Sequence, residues 1–162
     1  MVRGDDTIRV ELYTGRREDL RRLFELAEDS AAELDAYIDA GRVLVASDGD
    51  RVVGHLQVTA TERSGAAEVK NMAVDPAYQG RGIGRALMSA AIANARREGC
   101  ATLVVATAAA DTGNLRFYQR LGFRMRSVER DAFTPETGYP EPIEIDGIPL
   151  RDRVWLDLSI EQ

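Results

Sequence analysis

The sequence predicts a mixed α/β fold: a central, mostly antiparallel sheet of about six to seven strands with helices on both faces. Three observations predict it. Two β-branched runs, Val43–Ser47 and Val52–Thr59, flank the turn Asp48-Gly49-Asp50, a strong hairpin signal. A strand-like run, Ala67–Val74, precedes a long helical stretch and then Thr102–Thr107, an apolar β-branched run suited to burial on both faces. Strands therefore alternate with helices in the middle of the chain, while the hairpin occupies the first half.

Each element has its own signal. Thr7–Leu12 alternates like a short strand. Glu18–Ala27 carries Leu20, Leu23, Phe24 and Ala27 as a helical stripe, and a second short helix spans Ala31–Asp39, ending near Gly41. Asp75-Pro76 stops the strand Ala67–Val74. Across Gly82–Arg97, Ile83, Leu87, Ala90, Ala91 and Asn94 share one side and are mostly small, so the helix can lie close to a sheet. Gly99 stands where a left-handed C′ residue is expected. Asn114–Leu121 is a short helix ended by Gly122, and Phe123–Arg130 returns as a strand. Phe133–Pro149 holds four of the five prolines and reads as a long loop, before a last strand at Val154–Leu158.

A chain of 162 residues with no internal repeat or low-complexity linker reads as one domain, 1–162. No apolar run approaches the ~20 residues a membrane helix needs, and Met1–Tyr13 has no apolar signal region. The single cysteine, Cys100, cannot form an internal disulfide and reads as a small core residue; a cytoplasmic location is the simplest expectation. A net charge of -6 argues against nucleic acid as a partner and suits a cationic small substrate. No His/Cys cluster has metal-ligand spacing, so no metal is expected.

The segment Val74–Arg85 is the richest in chemistry. A strand ends, a proline turns the chain, and Gly80, Gly82 and Gly84 open a long helix. The first N–H groups of a helix lack internal partners and carry partial positive charge, which makes an anion site. The glycines remove Cβ atoms that would hold a phosphate away, and Arg81 and Arg85 add charge. Without a lysine the turn is not a P-loop, and Arg85 breaks the dinucleotide G-x-G-x-x-G pattern. A purely structural turn for tight strand–helix packing is the alternative. What matches is Q/R-x-x-G-x-G/A, as Gln79-Gly80-Arg81-Gly82-Ile83-Gly84. This resembles the pyrophosphate-binding motif of the GNAT superfamily of acyl-CoA-dependent N-acetyltransferases.

The resemblance extends over about Ala67–Phe123. Val69–Val74, ending in Met72-Ala73-Val74, looks like the superfamily's fourth strand, and Asn114…Tyr118…Gly122-Phe123 resembles its second signature helix. The resemblance implies a GNAT-like fold and acetyl-CoA as co-substrate. Its pantetheine arm would lie along Met72, Ala73 and Val74, and its pyrophosphate on Gln79, Gly80, Arg81, Gly82, Ile83, Gly84 and Arg85. Asn114 would contact CoA, with a helix N-cap as its alternative role. Tyr118, one helical turn on from Asn114, would be the acid that protonates the thiolate, or else a packing aromatic.

A protonated amine must lose a proton before it attacks a thioester, so a base is needed. Glu68, eleven residues before Gln79, matches the catalytic glutamate of some members; its alternative is an exposed strand residue paired with Lys70. His55, the only histidine, is a second candidate or a satisfied strand histidine. The loop Phe133–Pro149, with Thr134, Tyr139, Glu136, Glu141, Glu144 and Asp146, reads as a solvated surface loop or dimer contact, or else as a substrate-side lid. Glu28, Asp29, Glu33 and Asp35 read as a solvated helix face, or else as the other substrate wall. The function implied is acetyl transfer to an amine by direct attack, on a small cationic molecule. A protein or peptide acetyltransferase and a non-catalytic acyl-CoA-binding module are the alternatives. Monomer and homodimer both remain open.

Overall fold

The computed structural model of the protein describes residues 8–161, so the expected strand start at Thr7 lies outside the described residues. The strands are β1 (Ile8–Leu12), β2 (Arg42–Asp48), β3 (Arg51–Ala60), β4 (Ala66–Val74), β5 (Thr102–Ala108), β6 (Arg124–Glu129), β7 (Glu144–Ile145), β8 (Ile148–Pro149) and β9 (Arg153–Ser159). The helices are α1 (Arg21–Glu25), α2 (Ala31–Tyr37), α3 (Ile83–Arg97) and α4 (Thr112–Arg120). Seven strands form one sheet in the order β1-β2-β3-β4-β5-β9-β6, and β7 and β8 pair separately. Only β4 and β5 run parallel, and α3 is the crossover that a parallel pair requires.

Helices cover both faces, as the sequence predicts. On one face Ile83, Leu87, Met88 and Ala91 of α3 pack with Leu56, Val69, Leu103, Val105 and Leu156, and Tyr118 and Phe123 join the same core. On the other face Leu20, Phe24, Leu34 and Ile38 pack on Val43 and Val45. The hydroxyl of Ser30 accepts from the Glu33 N–H at 3.2 Å and so caps α2. Gly99 closes α3 with φ +83°, the left-handed value expected of it.

Two expectations change. The last helix of the resemblance starts at Thr112, because Asp111 caps it by accepting from the Asn114 N–H at 2.9 Å. Asn114 is therefore not the cap; it lies in the first turn with its side chain free for another partner. The segment 133–149 is also not one open loop. It contains a 3-10 turn at Pro135–Thr137, and a short ribbon whose turn residues, Asp146 and Gly147, both have positive φ.

His55, on β3, is fully buried, with its ring 4.2 Å from that of Phe24 and Nε2 2.7 Å from Asn71 Oδ1. Burial pushes its pKa down to about 4 from an ordinary 6.5. The folded value is the lower one, so the unfolded chain takes up the proton first as pH falls. The stability contributed by neutral His55 is full above pH 6.5 and is lost between 6.5 and about 4. Thermal melts across this window should show a steeper loss for the native protein than for His55→Gln. Parallel slopes would show that His55 does not titrate with folding.

Candidate active site

The site begins where the β4–β5 ladder ends. Parallel pairing covers Ala66–Val69 against Thr102–Val105 and stops at Val69↔Val105, although both strands continue. At the next residue β4 bulges: Gln57 pairs with Asn71 and Val58 with Val69, which leaves Lys70 unpaired. Lys70 and Asn71 consequently reach the same side. Lys70 Nζ lies 4.8 Å from the centre of the Tyr37 ring, and Asn71 Nδ2 donates to the Tyr37 hydroxyl at 3.0 Å. The gap beyond Val69 opens into a cavity of about 1040 Å³.

Of the residues that the sequence assigns to the cofactor, Met72, Ala73, Val74, Gln79, Gly80, Gly82, Ile83, Gly84, Arg85, Asn114 and Tyr118 line this cavity. Arg81 does not. Its guanidinium lies over the Tyr78 ring, 4.9 Å from the centroid. The turn before the glycines is pinned by Asp75, which accepts from the Ala77 N–H at 3.0 Å and pairs with Arg22 at 2.7 Å and Arg51 at 3.1 Å. Those interactions, the Ala77 N–H bond foremost, hold the Asp75 pKa below its ordinary value.

The glycines divide into two kinds. Gly80 and Gly82 have φ of +78° and +79°, and a Cβ on either would meet nothing. Their constraint is the left-handed backbone that starts α3. Gly84 is different: a Cβ there would stand 3.1 Å from Phe117 Cζ and 3.4 Å from Met72 Cε. It lets α4 approach α3.

Tyr118 is nearly buried, with its ring edge-on to Phe117 and Phe123 at 5.3 and 5.7 Å. Burial, and then Asp111, push its pKa up to about 12, so its hydroxyl is a protonated donor at neutral pH. Asn114 shares its helix face and donates to Thr107 Oγ1 at 3.3 Å. Arg116 and Arg120 of α4 line the cavity, as does Arg85. None of the three takes part in an ion pair among the described residues.

The opposite wall carries carboxylates and aromatic rings. Glu68, Glu28, Asp29, Tyr37, Tyr139, Phe133 and Trp155 all line the cavity. Glu68 is half-buried, which raises its pKa, while Lys70 at 3.8 Å and the charge of Arg153 oppose the rise. Asp29 is also raised, by burial and by its neighbour Glu28. Tyr139, in the segment 133–149, donates to Glu28 Oε2 at 2.7 Å, and Tyr37 donates to Glu28 Oε1 at 3.1 Å. Gly138 packs so closely on the start of α2 that a Cβ would stand 3.0 Å from Ser30 Oγ. The segment is thus a strap fastened across the cavity to the α1–α2 connection.

Some sequence candidates fall elsewhere. His55 does not line the cavity, and its low pKa makes it a core residue. Glu136, Glu141 and Asp146 of the strap, and Glu33 and Asp35 of the other wall, lie outside the lining, while Glu144 lies inside it. Cys100 packs against the core, away from the cavity. The cavity is also lined by Tyr37, Asn71, Arg116, Arg120 and Trp155, to which the sequence motifs assign no role. Asn71 alone had a local signal, a polar side chain inside an otherwise apolar strand end.

A split parallel pair, a glycine-started helix at its end and a buried tyrosine facing the split define an acyl-CoA-type transferase fold. The family model for GNAT acetyltransferases matches residues 10–123. The chain belongs to the GNAT acetyltransferase family. It is 33% identical over 153 residues to the N-acetyltransferase YvbK of Bacillus subtilis, which covers 93% of this chain and 97% of that protein. The fold of a Bacillus subtilis acetyltransferase solved in complex with CoA superimposes with a TM-score of 0.85 at 31% identity, over 94% of this chain and 99% of that one. A GNAT acetyltransferase from Elizabethkingia anophelis with acetyl-CoA bound gives 0.86 at 29% identity, over 96% and 99%.

The two kinds of glycine should respond differently to substitution. Gly84→Val overpacks the α3–α4 contact, at a cost of about 1–3 kcal/mol, and Phe117→Leu in the same chain should recover part of it. Gly82→Val strains the backbone alone, so Phe117→Leu should bring no recovery. Denaturant unfolding of the parent, the three single variants and the two double variants measures both couplings. Equal coupling of Phe117 to the two positions would refute the division.

Proposed function

We propose that the protein transfers the acetyl group of acetyl-CoA to a small cationic amine, by direct attack in a ternary complex. The Tyr139–Glu28 bridge, 2.7 Å long, carries the choice of a small acceptor. It fastens the strap to the α1–α2 connection across the side from which an acceptor must enter, which favours a closed pocket over an open peptide groove. Glu28 and Asp29 supply negative charge on that wall, with no ion-pair partner among the described residues.

In this reading the edge of Met72, Ala73 and Val74 holds the pantetheine arm, and an N–H near Ala73 or Val74 faces the developing oxyanion. Gln79, Gly80, Gly82, Ile83, Gly84 and Arg85 form the pyrophosphate site at the start of α3, and Arg85, Arg116 and Arg120 neutralise phosphate charge. Asn114 contacts CoA beside Tyr118. Glu68 takes the ammonium proton, directly or through water, and Tyr118 gives a proton to the departing thiolate. Cys100, away from the cavity, takes no part, which fits direct attack.

Calorimetry with acetyl-CoA should show binding and a raised Tm; tight NAD binding without acetyl-CoA binding would overturn the reading. A thiol-release assay should then favour polyamines or aminoglycosides over short peptides in kcat/KM; the reverse order would make it a peptide acetyltransferase. The raised Glu68 pKa means that activity should rise with pH through a value above the ordinary carboxylate range. Glu68→Gln should remove that limb and cut kcat by about a hundredfold. Tyr118→Phe should cut kcat by about tenfold with little change in acetyl-CoA affinity, a smaller loss because a thiolate already leaves well. Unchanged kcat in either variant, with chemistry rate-limiting, removes that residue from the mechanism.

A further inference from the structure

The chain has twenty arginines and a single lysine, Lys70, and that lysine lines the acetyl-transfer cavity. We propose that Lys70 is a self-acetylation site: with acetyl-CoA bound and no external amine present, its Nζ is the acceptor. The inference rests on the acetyl-transfer reading above.

Position is the first argument. Lys70 is the residue immediately past the last β4–β5 pair, Val69↔Val105, and the bulge turns it to the side of Tyr37 rather than toward α3. That is the side from which an acceptor amine has to approach, because Met72, Phe117 and Tyr118 occupy the other. Nζ stands over the Tyr37 ring at 4.8 Å and 3.8 Å from Glu68 Oε2, the oxygen assigned to take an acceptor's proton. An ammonium from the chain itself therefore already occupies the place that a substrate ammonium would take. Arginine side chains do not lose their proton in proteins, so Lys70 is the only side-chain amine of the protein that can act as a nucleophile.

Chemistry is the second. Glu68 takes one proton from the Lys70 ammonium, and the freed lone pair attacks the thioester carbonyl carbon. A C–N bond forms, the C–S bond breaks, and the CoA thiolate receives a proton from Tyr118. The new amide nitrogen gives its remaining extra proton to solvent, Glu68 releases to solvent the proton it took, and solvent restores Tyr118. The products are Nε-acetyl-Lys70, free CoA and one net proton. Because donor and acceptor share one cavity, the step is unimolecular once acetyl-CoA is bound, with the rate advantage of a tethered reaction. An external amine seated at Glu68 displaces Lys70 and suppresses it. Acetylation removes the cation that opposes the rise in the Glu68 pKa and places an acyl group in the acceptor path, so the modified enzyme should turn over external amines more slowly.

The test is to incubate the purified full chain with acetyl-CoA and no amine, then to follow intact mass and map the modified peptide. One acetyl group should appear on Lys70 at a rate unchanged over a tenfold range of protein concentration. A saturating amine that turns over should slow it at least tenfold, and Glu68→Gln should slow it similarly. The Lys70→Arg protein should gain no acetyl group in that peptide; the chain's α-amine lies in a different peptide. Acetylation of Lys70 no faster than in the heat-unfolded chain, in a preparation that turns over external amines, overturns the proposal and leaves the acetyl-transfer reading standing. A protein that binds no acetyl-CoA by calorimetry overturns both.

Discussion

The parallel ladder between β4 and β5 ends after four residue pairs, and the cavity exists because of that ending. Neither strand stops there. β4 stays paired with β3 as far as Gly54↔Val74, and β5 stays paired with β9 as far as Ala108↔Arg153. Each strand is held on its outer edge while the facing edges separate. Main-chain N–H and C=O groups on those edges still need partners, which an aqueous cleft or an extended ligand supplies and a packed core does not. The bulge at Lys70 falls on the first residue past the last pair, and bulges terminate pairing and sharpen twist. On the α3 side, Phe117 leans against Gly84 and Met72 and fills the space behind the gap.

A second constraint ties the acceptor wall to the core. The Phe24 carbonyl can only accept, and Asn71 Nδ2 lies 3.1 Å from it, so the amide orientation of Asn71 is fixed. Its Oδ1 then faces His55 at 2.7 Å, and His55 must carry its proton on Nε2. Asn71 donates to the Tyr37 hydroxyl, which leaves Tyr37 its own proton for Glu28. Glu28 also accepts from Tyr139 and from the Ser30 N–H at 3.3 Å. A chain of donors thus runs from a buried imidazole to Glu28, where it meets the Tyr139 hydroxyl donating from the strap. A protonated His55 could keep its bond to Asn71, but its charge would be buried beside Phe24, which is why its pKa is low rather than poised for catalysis.

Much of this was legible in the sequence, and the rest was hidden for identifiable reasons. Strand and helix periodicity place the sheet elements within a few residues, and the Gln79–Gly84 turn marks the start of α3 because left-handed glycines at a helix start are locally encoded. The glycines did not disclose their separate duties, since Gly84 is required by Phe117, thirty-three residues away. Asp111 as a cap is hard to read from the sequence because Thr112 and Gly113 are poor helix formers, yet tolerated in a first turn. The ribbon at Ile145–Ile148 carries the same Asp-Gly signal as the hairpin, obscured by the surrounding prolines. The Glu28–Tyr139 bridge joins residues 111 apart, which no local pattern can show.

Net charge was a poor guide to the cavity, and the reason is spatial. The whole chain carries -6, yet Arg85, Arg116 and Arg120 line the same cavity as Glu28 and Asp29. Screening over about 8–10 Å limits how far charges along such a wall cancel, so each group adds to its own local field. Most other charges near the site are consumed in pairs, as Arg22 and Arg51 are by Asp75, or Arg153 by Glu129. Burial first, and then the like charge of Glu28, push the Asp29 pKa up. A fold selected for stability alone would pair or remove such charges. Their persistence in one cavity, with Arg85 beside the glycine turn and Glu28 bonded to the strap through Tyr139, is a separation of charge that packing alone does not require.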